Sequence, residues 1–570
     1  MKKILFLLLF FPMIVSAQSS VDVTNETAGQ LADKLPEATR FTIGQLKVAG
    51  PVNGTDLKLL QQIVNRTKTK NAEECLVKQV DLADAQIVEG KDGMKTLANQ
   101  LPDRLFAGAK ALESAVLPSG LTNIGAKAFN GCEQLTQVTI PSTVTAIGNS
   151  AFYGCKALES VELPDGLAKI DDSAFENCAA LQAVSIPSSV TTMGERVFRN
   201  CESLATAAIE GPVATIGIAA FENCERLITV TLAEGVKSLE ANAFAKCTQL
   251  KSISLPESVE LVGNSAFLGC TSLEEVSLPN VKKINGRAFQ KCENLKNIEL
   301  PTSLTDLGSG VFEDCQRLES VVIEGNVKEI GSNAFENCTT LQAVTLPSSV
   351  VTLGSDAFRD CTSLANITLP QALKKIGSHA FRGCLSLQRI EVPNGVTSIG
   401  SHAFEDCKSL TSVAVQGFIK KLEDDVFAGC GSLSEVSFPN TIESIGDDAF
   451  RDCVSLTQFT VPIAVKSIGD NAFRNCTTLS TVELSNALKK IGSNAFARCT
   501  MLREVYCYSA QPPKIEKSIF KEVPSSTLQV YIPHGCRSVY RLDKVWSKLS
   551  ISYSEMTVAE MKERRIAKEQ

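Results

Sequence analysis

Residues 135–157 read LTQVTIPSTVTAIGNSAFYGCKA, and the chain repeats this pattern from Leu158, Leu181, Leu204, Leu227, Leu250 and Leu273. One copy of 22 residues follows, after which the series resumes at Leu295 and recurs every 23 residues to Leu479. Counted from Leu112, the template L-x-x-V-x-[LI]-P-x-x-V-x-x-I-G-x-x-A-F-x-x-C-x-x occurs 17 times and ends at Met501. A fixed period of this size marks a repeat architecture. Apolar residues at positions 1, 4, 6, 10, 13, 18 and 21 of the template match neither a 3.6-residue period nor long alternation, so long helices and long strands are excluded. Positions 4 and 6 predict a short strand, which Pro at position 7 ends because it offers no N–H to a ladder. Positions 10 to 14 predict a second short strand with a Gly turn. Ala-Phe-x-x-Cys then closes the circuit as a tight, one-turn helical segment. One coil cannot bury its own apolar set, whereas stacked copies can, like on like. The predicted fold is a β-rich solenoid of 17 regular coils with short parallel strands, capped at both ends.

The pattern LPxxVTxIGxxAFxxCxxL resembles the BspA-like class of leucine-rich repeats, found in bacterial surface and secreted proteins. The resemblance implies a leucine-rich repeat solenoid and adhesion-type roles. Solenoids host many functions, so the residues must be weighed separately.

Outside the coils, residues 1–17 read as a secretory signal. Lys2 and Lys3 form a basic start, Ile4 to Val15 an apolar run, and Ser16-Ala17 a small-residue cleavage end. The run is short for a membrane span, and no Cys follows it to anchor a lipid. The expectation is an exported protein, secreted or at the cell surface, with no membrane span and no lipoprotein anchor. Residues 18–111 are expected to form a linker and N-terminal cap. Within them, 18–40 read as loosely ordered, Phe41 to Val48 as a strand, 50–54 as a turn, and Thr55 as the N-cap of a helix to about Val64. Val77, Val80 and Leu82 mark a coil-like strand, and Phe106 is the first Phe in phase. Residues 502–551 are expected to be a C-terminal cap, with Thr527 to Pro533 the last strand, a helix from Ser538 to Lys548, and Trp546 lying over the final coil. Residues 552–570 read as a highly charged frayed helix or tail.

Formal net charge is −7, which gives no reason to expect non-specific nucleic-acid binding. Seventeen of the 20 cysteines, Cys132 through Cys499, occupy position 21. No pair has the close spacing of a zinc site, so the column is read as buried free thiols acting as small apolar groups, with occasional bridges between neighbouring coils, which export would invite and strand spacing would permit, as the alternative. Cys75, Cys507 and Cys536 lie outside it.

Two charged columns carry candidate sites. Position 16 of five successive coils holds Asp356, His379, His402, Asp425 and Asp448. Stacked imidazoles flanked by carboxylates could hold a divalent ion, with His379, His402, Asp356 and Asp425 as ligands. The alternative is a solvated face on which opposite charges soften each other. Positions 11 and 12 carry Lys237, Lys282, Lys283, Lys328, Lys374, Lys375, Lys420, Lys421 and Lys466 on every other coil, with Lys489 and Lys490 one coil further. This is either a solubilising edge or a docking stripe for an anionic partner such as an acidic protein segment or glycan. Outward positions 3 and 5 form a flat sheet of small polar groups suited to a broad protein partner. No cofactor is implied. A hydrolytic triad would need His379, His402 or His534, none of which lies in a pocket-forming stretch. The sequence therefore points to a protein that binds extracellular, cell-surface or host matrix proteins. A structural surface-layer spacer and, less favourably, a hydrolase are the alternatives.

Overall fold

The computed structural model describes residues 19–40, 42–66, 76–549 and 551–569. The signal-peptide expectation and Cys75 lie outside them. The chain divides into two compact units, one ending at Val213 and the other beginning at Ala214. Each is a parallel β-solenoid.

In the first unit the outer strands stack as Ser19–Thr24, Ile43–Val52, Gln79–Asp81, Ser114–Val116 and Gln137–Thr139, all parallel. The second strands stack separately, from Gln100–Leu101 through Asn123–Ile124, Ala146–Ile147 and Lys169–Ile170 to Thr192–Met193. The second unit repeats the arrangement. Asn297–Leu300 pairs with Ser320–Ile323 residue for residue, and Glu329–Ile330 with Thr352–Leu353. The 22-residue copy keeps this register. Leu261 pairs with Lys283, and Lys283 with Asp306, so its missing residue is absorbed in the turn after Pro279.

Position 18 forms the spine of each core. Phe129, Phe152 and Phe175 are fully buried and stack with ring centroids 5.1 Å apart. In the second unit Phe335, Phe358 and Phe381 do the same at 5.2 and 5.3 Å. Burying one such ring contributes roughly 1.5–3 kcal/mol, and each coil adds one.

The closing segment is not a helical turn. It is a run of tight turns whose N–H groups point along the stack. Lys127, Phe129 and Gly131 donate to the carbonyls of Asn149, Ala151 and Tyr153 at 2.8, 2.7 and 2.7 Å. Asn333, Phe335 and Asn337 donate likewise to Ser355, Ala357 and Arg359 at 2.9, 2.8 and 2.9 Å. A helix would spend those donors within its own turn, which would leave the edge between coils unpaired. The geometry requires positive φ at positions 16 and 20, for example +59° at both Asn333 and Asn337. The Gly at position 14 has a separate reason. A Cβ on Gly148 would lie 2.9 Å from both the Ile124 carbonyl and the Ala126 nitrogen, so the coils approach too closely there for a side chain.

Both ends depart from expectation. Residues 19–40 are not loose: Ser19–Thr24 is the first strand, and α1 follows at Leu31–Lys34. The strand Ile43–Val52 runs through the expected turn, and its Gly50–Val52 end pairs with Ala85–Ile87. The following helix, α2, spans Gly54–Val64 and is capped by Asn53 rather than Thr55. Asn53 Oδ1 accepts from the Thr55 and Asp56 nitrogens at 3.0 and 3.2 Å, and Asp56 Oδ2 accepts from the Asn53 nitrogen at 3.1 Å. Asp56, 1% exposed, also accepts from the Gly29 and Leu31 nitrogens, which fastens α1.

At the other end the expected helix is two pieces, α3 at Arg537–Leu542 and a 3-10 turn at Trp546–Lys548. Asp543 interrupts them by accepting from the Val545 and Trp546 nitrogens. Tyr540 and Trp546 are buried against each other, and Leu542 points outward. The last strand is not Gln529–Pro533. Ser552–Met556, expected in a tail, pairs parallel with it, and α4 follows at Val558–Glu569.

Candidate functional site

The position-16 column of the second unit brings its histidines together. The rings of His379 and His402 stack with centroids 4.7 Å apart and planes 12° apart. His379 Nδ1 lies 3.8 Å from Asp356 Oδ1, and His402 Nδ1 lies 3.8 Å from Asp425 Oδ2. The nearest acid was not in the predicted set. Glu405 Oε2 sits 3.0 Å from His402 Nδ1. His402, Glu405 and Asp425 offer ligand atoms within 4.8 Å of one another, the only such group of three among the described residues. His379 and Asp356 stand beside this group rather than in it. The turn sets positions 16 and 19 on one side, and Asp356 with Arg359 and Asp448 with Arg451 show the same three-residue spacing.

The carboxylates already have cationic partners. Arg382 Nε reaches Glu405 Oε2 at 3.0 Å, and Arg451 Nη2 reaches Asp425 Oδ1 at 3.1 Å. An ion would have to compete with both. Partial burial holds the His379 imidazole below its usual pKa, although the Asp356 carboxylate works the other way. The backbone supplies a reason for these residue types that needs no ligand. Asp356, His379, His402, Asp425 and Asp448 all have φ between +52° and +58°, and Asp, Asn and His are the side chains most tolerant of that region.

The cysteine column has a hydrogen-bonding role that sequence reading missed. The column thiols from Cys132 to Cys201 and from Cys247 to Cys499 each lie 3.1–3.3 Å from the carbonyl of the position-18 Phe one coil back, as Cys315 does with Phe289. All 17 are buried and unbridged. Burial raises the Cys201 and Cys270 thiols to about 12, so thiolate chemistry is suppressed at neutral pH.

The lysine stripe is partly neutralised. Lys282 pairs with Glu260 at 2.7 Å, Lys283 with Asp306 at 2.9 Å and Lys466 with Glu443 at 2.6 Å. Lys421 pairs with Glu423 and, at 3.7 Å, with Asp424. Coils between the lysine-bearing ones thus place acids in the same column at Glu260, Asp306 and Glu443. The partners lie 22 or 23 residues away, so one repeat period was the signal that would have found them. Lys328, Lys374 and Lys375 have no ion-pair partner among the described residues, and the two coils flanking Lys374 and Lys375 carry the uncharged Val351-Thr352 and Thr397-Ser398.

Outward positions 3 and 5 are small and polar over most of the second unit. Further on, Tyr506 and Tyr531 stack with centroids 4.4 Å apart, and Tyr506 is buried.

A family model described as BspA type leucine rich repeat region (6 copies) matches residues 99–228, 214–342, 328–454 and 420–542. No curated protein matches the chain. Among solved structures, a leucine-rich repeat protein from Bacteroides ovatus is 28% identical, over 76% of this chain and 97% of that one, with TM-score 0.47. A leucine rich cell surface protein from Faecalibacterium prausnitzii is 25% identical, over 70% and 85%, with TM-score 0.23. A leucine rich repeat protein from T. pallidum is 29% identical, over 36% and 77%, with TM-score 0.25.

Proposed function

The chain belongs to the BspA-type leucine-rich repeat family, and from that premise we propose that it is an exported, non-enzymatic protein that binds other proteins through its strand face, at the cell surface or after secretion. One observation carries the reading. Along Asn297–Leu300, Ser320–Ile323 and Arg389–Val392 the odd-numbered template positions face outward, while their neighbours at positions 4 and 6 are buried. The backbone there is extended and satisfied by the adjacent coil, so the outward side chains are not needed for strand pairing and stand on the surface where a partner could meet them. Family membership supports protein binding; export and adhesion to host or matrix proteins are the proposal's further content. Among the described residues no helix is long and apolar enough to cross a membrane. The test is saturable binding of the purified protein to immobilised extracellular matrix proteins, together with N-terminal sequencing of the mature chain. Binding to one or more, with a mature start near Gln18, supports the reading. No binding to any member of the panel leaves a structural spacer.

A second reading is favoured by the unpaired stretch Lys328, Lys374 and Lys375. In it, the lysine edge docks an anionic segment or glycan, as a row of charges acting together.

A further inference from the structure

We propose that the strand face near the end of the second unit, from Glu435 to Tyr508, is a docking groove for a partner segment that combines arginine with apolar side chains. The proposal rests on the reading that the strand face binds protein, and it names the chemistry of the partner.

The groove has a cavity of about 590 Å³. Phe438, Phe459, Ile463 and Tyr508 line it, with Glu435 and Glu483 among the polar groups. Its origin is local. Val436 and Phe438, at positions 4 and 6 of their coil, are only half-buried, where most coils bury both. Ile463 is 46% exposed at its rim.

An arginine of this chain already sits on the adjoining surface. Arg564, on α4, places its guanidinium carbon 3.8 Å from the centroid of the Tyr506 ring and its Nη1 3.7 Å from Glu483 Oε1. The Glu483 side chain is 2% exposed, and its Oε2 accepts from Tyr508 Oη at 3.3 Å. Glu483 therefore belongs both to the arginine seat and to the groove. A carboxylate beside an aromatic face suits a planar guanidinium better than an ammonium, because the guanidinium can stack and pair at once.

Charge on the rest of the face points the same way. In the second unit, positions 3 and 5 carry Glu275, Glu299, Glu391, Glu435, Glu483 and Glu504 against the single cation Arg389. Small residues occupy most other positions, so a cationic segment approaching along the strands meets acids and few obstacles. The groove is continuous with the α4 contact through Glu483, and α4 covers the end of the face as a first occupant.

The test uses the full chain and a fluorescein-labelled hexapeptide alternating leucine and arginine, followed by fluorescence anisotropy. A lysine counterpart and a glutamate counterpart serve as controls. The arginine peptide should bind more tightly than the lysine peptide, and the glutamate peptide should not bind. Glu435→Gln and Ile463→Ser, both at exposed positions, should each weaken binding by at least about fivefold while thermal stability is unchanged. Arg564→Ala, which vacates the seat, should tighten it. Equal binding by wild type and both rim variants, or equal affinity for arginine and lysine peptides, overturns the proposal. Matrix binding without arginine-peptide binding sinks this groove but leaves the general reading standing. Peptide binding that depends on Glu435, with no matrix binding, does the reverse.

Discussion

In the turns of the second unit, His379 and His402 sit at φ +56° and +58° and donate their backbone N–H groups to the Ser401 and Asp424 carbonyls of the next coil. On the strand face of the same unit, Glu391 lies in Arg389–Val392, paired with Ser412–Val415, in extended backbone that would accept Ser or Thr as readily. Both places display residue types associated with chemistry. In the turns those types answer a demand of the chain, since few side chains tolerate the left-handed region. On the strands no such demand exists. A reactive-looking residue is thus weaker evidence of function where the backbone already selects for it. The strand face, with its acids, is where partner recognition is better sought.

The largest effect that sharpens this contrast lies beneath the turns. Phe358→Ala should lower stability by about 3–5 kcal/mol, whereas Ser412→Ala on the strand face should change it by no more than about 0.5 kcal/mol. Denaturant midpoints measure both, and similar losses would break the contrast. Next comes the backbone demand itself. His379→Val should cost about 1–2 kcal/mol, while His379→Asn, which tolerates positive φ, should cost much less.

The same position carries a pH signature. The His379 pKa is held below its ordinary 6.5, so the folded state binds fewer protons than the unfolded state between that lowered value and 6.5. Its contribution is neutral above 6.5 and becomes destabilising as pH falls through this window. His379→Asn should flatten that part of the stability profile, and an unchanged profile would contradict it. At the same column we propose weak zinc binding that depends on His402 with Glu405 and Asp425 more than on His379. Calorimetry should show the heat diminished in His402→Ala, and equal heats for wild type and variant would leave the histidines as turn residues alone.

The smallest effect is expected at the lysine edge. Replacing Lys374, Lys375, Lys420 and Lys421 together by Ser should weaken binding to an anionic glycan at 0.1 M salt without changing thermal stability. The difference should vanish near 1 M, where the Debye length falls to about 3 Å. Identical binding by both proteins at low salt would make the stripe a solvated edge.

What the sequence disclosed follows from its period. The inward columns, the two short strands and the stacked Phe and Cys residues are legible because every coil repeats them. Partners between coils were hidden in local reading but lie one period away, as Glu443 and Lys466 do. The third ladder was hidden for a different reason. Ala-Phe-x-x-Cys suits a helical turn as well as a run of tight turns, and only the Asn, Asp and Gly at positions 16 and 20 hint at positive φ. At the ends the period stops, and no neighbouring copy announces that Ser19–Thr24 or Ser552–Met556 will join a sheet. Arg564 on Tyr506 joins residues 58 positions apart, a spacing no repeat encodes.

Hydrogen exchange read by mass spectrometry, with and without the leucine–arginine hexapeptide, tests the contrast most directly. Protection on binding is expected in the strand segments between Glu435 and Tyr508, with α4 exchanging faster as Arg564 is displaced, and with no change in the turns that carry His379, His402 and Asp425. Protection confined to those turns, with the strand face unaffected, would contradict the assignment of structure to the turn edge and recognition to the strand face.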